Sequence, residues 1–197
     1  MILGIAGKAC SGKNAAASLF EKKGFLSIDV DTLGHLALNE KKQDVADRFG
    51  EDLLKTDGHI DRKKLGDIVF NNRTRLNSLE EILHPVIIKM VEKIIRESDN
   101  KDILINAAIL GTSGMDKLCD KVLWIESPLF MRIKRAFTRD KYKISHIFSR
   151  IRSQRDLTVQ HFSTGVDIYM VRNGGSLTNL EKQIDLFLQT PENYKRV

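Results

Sequence analysis

Apolar residues in this chain fall into short continuous runs separated by longer stretches with helical spacing, and the alternation repeats from end to end. Ile2-Leu3-Gly4-Ile5-Ala6 reads as a first strand buried on both faces. Lys13 to Lys23 reads as a helix that turns Ala15, Ala16, Leu19 and Phe20 toward the sheet, with Gly24 ending it. Phe25 to Val30 is a second strand, Asp31 stands at its carboxyl end, and strand alternation predicts that Asp29 and Asp31 point to the same side. Residues 32–100 are mainly helical, too long for a simple crossover, and read as a second lobe. Asp61 is expected to cap one of its helices, and Pro85, after His84, to open another with Val86, Ile87, Ile88, Val91, Ile94 and Ile95 on its apolar face. Ile103-Leu104-Ile105 is a third strand ending at Asn106, and Val122 to Ile125 a fourth; between them Ala107 to Asp120, with Gly111 and Gly114, reads as a mobile loop holding a short helix. A helix from Pro128 toward Arg139, a basic stretch, a helix through Arg150, Ile151 and Gln154, a last strand at Ile168 to Val171 and a C-terminal helix complete the series. The pattern predicts a three-layer α/β unit.

Composition sharpens this picture in three ways. With 197 residues, 42% hydrophobic and three prolines, the chain is expected to form a single globular domain with inserted subregions. No apolar run is long enough for a transmembrane helix, no basic-then-apolar leader opens the chain, and two cysteines make no disulfide framework, so a reducing cytoplasm is the default. The net charge of +6 favours an anionic partner. Lysines and arginines are spread along the whole chain, so a small polyphosphate explains the specific spacings better than nucleic acid does.

Those spacings centre on Gly7-Lys8-Ala9-Cys10-Ser11-Gly12-Lys13, directly after the first strand and at the start of the first helix. G-x-x-x-x-G-K in that context sets backbone amides, the positive end of a helix dipole and one lysine around a phosphate chain. Asn14 follows where Ser or Thr is usual, so an amide oxygen would face Mg²⁺ directly or through water. In an open parallel sheet the strands' carboxyl ends form the ligand rim, which predicts Asp31 on the same edge as the glycine loop, placed to accept a proton from an attacking hydroxyl. Asp29 is a second candidate for hydrated Mg²⁺, and for both aspartates a cap or turn role is the ordinary alternative. Arg135 and Arg139 are four apart on one helix face, a cationic ridge suited to phosphate oxygens or to a solvated surface, with Arg132, Arg150 and Arg152 weaker candidates. His84 either donates to an anionic substrate or starts a helix; the remaining histidines have no zinc-like spacing.

The ordered set of motifs resembles the dephospho-coenzyme A kinase family over nearly the whole chain. It comprises Gly4-Ile5-Ala6-Gly7 through Gly12-Lys13, Ile28-Asp29-Val30-Asp31, Asp57-Gly58-His59-Ile60-Asp61-Arg62, Leu79 to Ile87 with His84-Pro85, Arg135 with Arg139-Asp140, Arg150-Ile151-Arg152-Ser153-Gln154, and Asn173-Gly174. The resemblance implies a three-layer P-loop NTPase fold with a central parallel five-stranded sheet, a nucleotide-binding core (residues 1–31, 101–137 and 166–197), a helical substrate lobe (32–100) and a lid (138–158). It implies transfer of the γ-phosphate of ATP, with Mg²⁺, to the ribose 3′-hydroxyl of dephospho-coenzyme A, in a cytoplasmic enzyme with no nucleic-acid or membrane partner and a monomer as default. On that likeness Asp31 is the base, and Gly7 to Asn14, including Lys13, cradle ATP. Arg139 and Arg135 belong to the lid, Asn173 and Gly174 flank the adenine, and Arg62 and His84 look toward the acceptor. Two features depart from the family pattern: Asn14, and Asn106 to Thr112 in place of a run that begins and ends with an acid. A nucleoside or nucleotide kinase, or a divergent low-activity binding protein, are the alternatives. A GTP switch is disfavoured by the lack of an N-K-x-D run.

Overall fold

The computed structural model describes residues 1–70, 72–99, 101–108, 110–139, 157–163 and 165–190. The expected helix through Arg150, Ile151 and Gln154, and nearly all of the expected lid, lie outside the described residues. The chain divides into two compact units, Met1–Ile28 with Ser98–Val197, and Asp29–Glu97.

The first unit is built on strands β1 (Ile2–Ala6), β2 (Leu26–Asp29), β3 (Ile103–Asn106), β4 (Lys121–Glu126) and β5 (Asp167–Arg172), which form one parallel sheet in the order β2-β3-β1-β4-β5. β1 is central, paired with β3 through Gly4↔Ile105 and with β4 through Gly4↔Val122. Its carboxyl end is therefore the point where the connections diverge to either side, the usual ligand position in such sheets. Period-two alternation sends Leu3, Ile5, Leu123, Ile125, Tyr169 and Val171 to one face, where α1 (Lys13–Glu21) contributes Ala16, Leu19 and Phe20 and the C-terminal helix contributes Leu180, Ile184 and Phe187. Phe20 packs edge-on against Phe25 at 5.1 Å between ring centroids, and Tyr169 against Phe187 at 5.3 Å. Truncating a fully buried ring such as Phe20 to Ala costs about 3–5 kcal/mol. In the C-terminal helix (Leu177–Gln189) the buried face follows the i, i+4, i+7 rule, and Leu177 and Leu186 are exposed.

The other face of the sheet is covered by the β3–β4 connection. It does hold a short helical turn, Met115–Leu118, but the segment is packed rather than loose: Leu110, Met115 and Asp116 are fully buried. Leu110 and Cys119 lie so close over β1 that a Cβ on Gly4 would meet them at 2.5 and 2.9 Å. Asp120 accepts the Ile2 N–H at 2.7 Å, and the Asp116 carboxylate accepts the Ser163 N–H. The glycines suggested mobility; the buried apolar residues that flank them, Leu110 and Met115, decide the outcome. Burial pushes the Cys119 thiol up to about 12, which makes it unreactive.

The second unit contains α2 (Val30–Glu40), α3 (Lys42–Phe49), a short 3₁₀ turn at Glu51–Leu53, α4 (Arg62–Val69) and α5 (Arg73–Arg96) around Leu38, Val45, Leu53, Ile60, Leu65 and Val69. Two expectations are corrected here. β2 stops at Asp29 and Val30 already opens α2, so strand alternation does not relate Asp29 to Asp31. Instead Asp29 is the N-cap, its Oδ1 accepting the Asp31 N–H at 3.0 Å. Pro85 does not start a helix; it lies inside one that begins at Arg73, where the Asn72 side chain accepts the Arg75 N–H at 3.1 Å. Proline removes one helical hydrogen bond, but Leu76, Leu79, Ile82 and Leu83 before it and Ile87 and Val91 after it are drawn into apolar packing, and burial carries the helix through.

Candidate active site

Beyond Ala6 the chain turns through residues 7–12 into α1. Gly7 (φ +150°) and Gly12 (φ +101°) hold backbone conformations that side chains disfavour, and both are crowded. A Cβ on Gly7 would sit 2.5 Å from the Ile125 carbonyl oxygen, and one on Gly12 2.0 Å from Asn173 Nδ2. The turn closes with Ser11 N–H on the Lys8 carbonyl at 3.0 Å, and Lys13 Nζ reaches back to the Gly7 carbonyl at 2.8 Å. No acidic residue stands in the first turn of α1, so the positive end of its dipole is uncompensated by a side chain of that turn.

The loop is held by its carbonyls. Arg135, on the helix α6 (Leu129–Arg139) that follows β4, donates from Nη1 to Ser11 O at 3.1 Å and Ser127 Oγ at 3.0 Å, and from Nη2 to the backbone and side-chain oxygens of Asn173, each at 3.1 Å. Asn173, just past β5, returns its Nδ2 to Ser11 O at 2.8 Å, and Ser127 Oγ donates to Asn173 O at 2.7 Å. Arg132 adds a bond from Nε to Ala9 O at 2.8 Å. Three loop carbonyls, those of Ala9, Ser11 and Gly7, are thus occupied by cations or an amide. That arrangement fixes the curvature in which loop amides converge on an anion. Sequence reading placed Arg135 on a lid and Asn173 beside a base; their hydrogen bonds run to the loop backbone. Ser127 and Asn106 were not named as site residues, and only a polar side chain at a strand's carboxyl end hinted at them.

Asn14 and Asn106 are in contact: the Asn106 amide donates to Asn14 Oδ1 at 3.3 Å. Both are neutral, and among the described residues no group of three or more His, Cys, Asp or Glu is gathered as a metal site. The donor set suits a magnesium ion that arrives with phosphates and meets amide oxygens or water, not one held beforehand by a carboxylate cage.

In the helical unit, Asp31 is exposed in the first turn of α2, and Arg62 is exposed at the first position of α4. The segment leading to Arg62 is a tight turn: Lys55 N–H bonds His59 O and Gly58 N–H bonds Lys55 O, each at 2.9 Å, and Leu54 bridges Ile60. Asp61 caps α4 through Lys63 and Lys64 N–H at 3.0 and 3.2 Å, and these bonds, led by that of Lys64, hold its carboxyl below the usual range. His84 is half-buried with no partner for Nε2, and burial holds its imidazole below the ordinary histidine range against the opposing pull of Glu80. Gly174 is exposed after β5. The Arg139 side chain lies outside the described residues.

A family model described as dephospho-CoA kinase matches residues 1–178. The chain belongs to the dephospho-CoA kinase family. A dephospho-CoA kinase of Borrelia garinii is 32% identical over 198 residues, spanning 100% of this chain and 97% of its own. The solved dephospho-CoA kinase of Campylobacter jejuni is 27% identical with a TM-score of 0.66 and 96% of each chain covered. A Thermus thermophilus crystal structure, 24% identical, superposes with a TM-score of 0.80 over 96% of each chain and supports the fold. The family is one of ATP-dependent kinases with a P-loop nucleotide-binding fold. Among the described residues no helix is long and apolar enough to cross a membrane. Set against the family pattern, the departures at Asn14 and Asn106 are a single feature, because the two amides bond each other.

Proposed function

We propose that this chain transfers the γ-phosphate of ATP to the ribose 3′-hydroxyl of dephospho-coenzyme A in the cytoplasm. The observation that carries the donor half is the phosphate loop, backed on its carbonyl side by Arg132, Arg135 and Asn173. The acceptor half rests on a family match that spans both compact units. Gly7 to Asn14 hold the triphosphate through backbone amides, and Lys13 shifts from the Gly7 carbonyl to neutralise the transferring phosphoryl oxygens. Asp31 accepts the proton of the attacking hydroxyl. Arg139 adds charge as the site closes, and Asn173 with Gly174 flanks the adenine. Arg62 and His84 hold the acceptor. Mg²⁺ would be held by Asn14, which Asn106 bonds, and by Asp29, in part through water, and would screen the phosphate charge.

The test supplies ATP, Mg²⁺ and dephospho-coenzyme A and identifies the product by mass and position of the new phosphate. A 3′-phosphorylated product is expected, with kcat reduced about 100-fold or more in Asp31→Asn and KM for ATP little changed. Product from a nucleoside or nucleotide but none from dephospho-coenzyme A moves the assignment to another acceptor; an unaltered rate in Asp31→Asn removes the base role.

A further inference from the structure

In the phosphoryl-transfer reading Arg132 acts only through the bond of its Nε to the loop. Its side chain is 94% removed from solvent, since only 6% remains exposed. Nε is spent on the Ala9 carbonyl, yet Nη2 is buried and has no hydrogen-bond partner among the described residues. Burial lowers the guanidinium's pKa, but arginine keeps its proton at neutral pH. A second buried polar atom has no partner among the described residues: Ser11 Oγ, in a residue only 1% exposed.

Both residues line one cavity of about 260 Å³ in the core unit, together with Lys8, Thr158, Glu126 and the Trp124 ring. Glu126 is the carboxylate of that lining, and it lies 3.7 Å from its own cation, Arg172. The buried Arg132 guanidinium and Ser11 hydroxyl therefore face a space whose acid is already partnered. A buried cation and a buried hydroxyl left unsatisfied are each costly, and an oxygen-rich anion satisfies both at once. The volume lies below the range of nucleotide-sized pockets, which suits a small oxyanion.

We propose that this cavity binds a free oxyanion of phosphate size, at a position distinct from the ATP triphosphate. The two sites take opposite sides of the same loop. The triphosphate belongs to the amide side, whereas Arg132 approaches through the Ala9 carbonyl, whose oxygen repels phosphate oxygens. An anion bonded to Arg132 Nη2 and Ser11 Oγ braces two loop residues, so its occupancy and ATP affinity are linked, each raising the other.

The decisive measurement keeps the phosphate loop full. Inorganic phosphate, or chloride at equal ionic strength, is added to the full chain saturated with ATP and lacking acceptor, and thermal unfolding is followed alongside calorimetric titration. Phosphate at tenfold above its Kd is expected to raise Tm by about 3 °C over chloride, with one phosphate bound per chain. Arg132→Gln is expected to abolish that increment at saturating ATP, whatever the loss of the bond to Ala9 O does to the ATP Kd. Should Arg132→Gln fail to fold, Ser11→Ala is expected to weaken phosphate binding about tenfold. The proposal is overturned by equal Tm in phosphate and chloride, or by an increment that survives in Arg132→Gln or is untouched in Ser11→Ala. None of these readings involves the acceptor, so they stand or fall apart from the kinase assignment.

Discussion

Polar side chains serve opposite ends in the two compact units. In the core they act over long sequence separations: Arg135, Ser127 and Asn173 come from three places in the chain to hold the Ser11 carbonyl and one another. In the helical unit the capping and turn residues act on their immediate neighbours, Asp29 on Asp31, Asp57 on His59, Asp61 on Lys63 and Lys64, Asn72 on Arg75, and the longer side-chain bonds, Arg48 to Ser78 and His59 with Asn39, are exposed. The core network holds a ligand-binding backbone in shape, whereas the helical unit's bonds start helices and close turns. Residues that look alike as motif members are thus expected to fail differently when replaced.

Arg135→Met should show the largest effect. It leaves Ser11 O, Ser127 Oγ and both Asn173 oxygens without a charged donor, so the loop loses its backing and two units of function suffer together. Denaturant unfolding is expected to fall by about 2–3 kcal/mol, and KM for ATP to rise roughly 10-fold or more with a smaller change in kcat. A lid arginine that meets only the transferring phosphoryl predicts the reverse, a loss in kcat with unchanged stability. Arg135→Lys separates geometry from charge, because a single ammonium cannot span Ser11 and Asn173 as the planar fork does.

Asn72→Ala should be milder and confined to the helical unit. Losing the cap of α5 is expected to cost about 1 kcal/mol of stability, largely recovered in Asn72→Ser or Asn72→Asp, with KM for ATP unchanged. If Asn72→Ala altered ATP affinity as much as Arg135→Met does, the division between long-range and local polar roles would not hold.

How much of this was legible beforehand follows the same division. The strands were readable because each is a short apolar run, buried on both faces in β1, β3 and β4, and the phosphate loop because its glycines and lysine have a fixed spacing. The caps at Asp61 and Asn173's neighbourhood differ instructively. Asp61 was legible as a cap because its partners are two and three residues away. The bonds from Asn173 to Ser11 and from Arg132 to Ala9 cross more than a hundred residues, so nothing in the local pattern announces them. Pro85 was misread because proline's intrinsic dislike of helix interiors is local, while the apolar packing that overrides it on both sides is tertiary. Asn14 and Asn106 were each visible as departures, but their contact exists only once β1, β3 and α1 are assembled.

The smallest expected effect is on pH dependence and concerns His84. Burial disfavours its charged form more than Glu80 favours it, so the folded-state pKa lies below the unfolded value of about 6.5. In the window between those two values the unfolded chain binds the extra proton, and stability therefore falls as pH drops through it; above about 6.5 the group contributes no slope. Urea midpoints taken at about pH 7.5, 6.5 and 5.5 should decline on the acid side, and His84→Gln should flatten that decline while leaving the neutral-pH midpoint near its starting value. The same variant bears on the comparison of the two units. If His84 acts on the acceptor, KM for dephospho-coenzyme A rises in His84→Gln with KM for ATP unchanged. If only the acid slope changes, His84 belongs with Asp61 and Asn72 among the residues that build the helical unit.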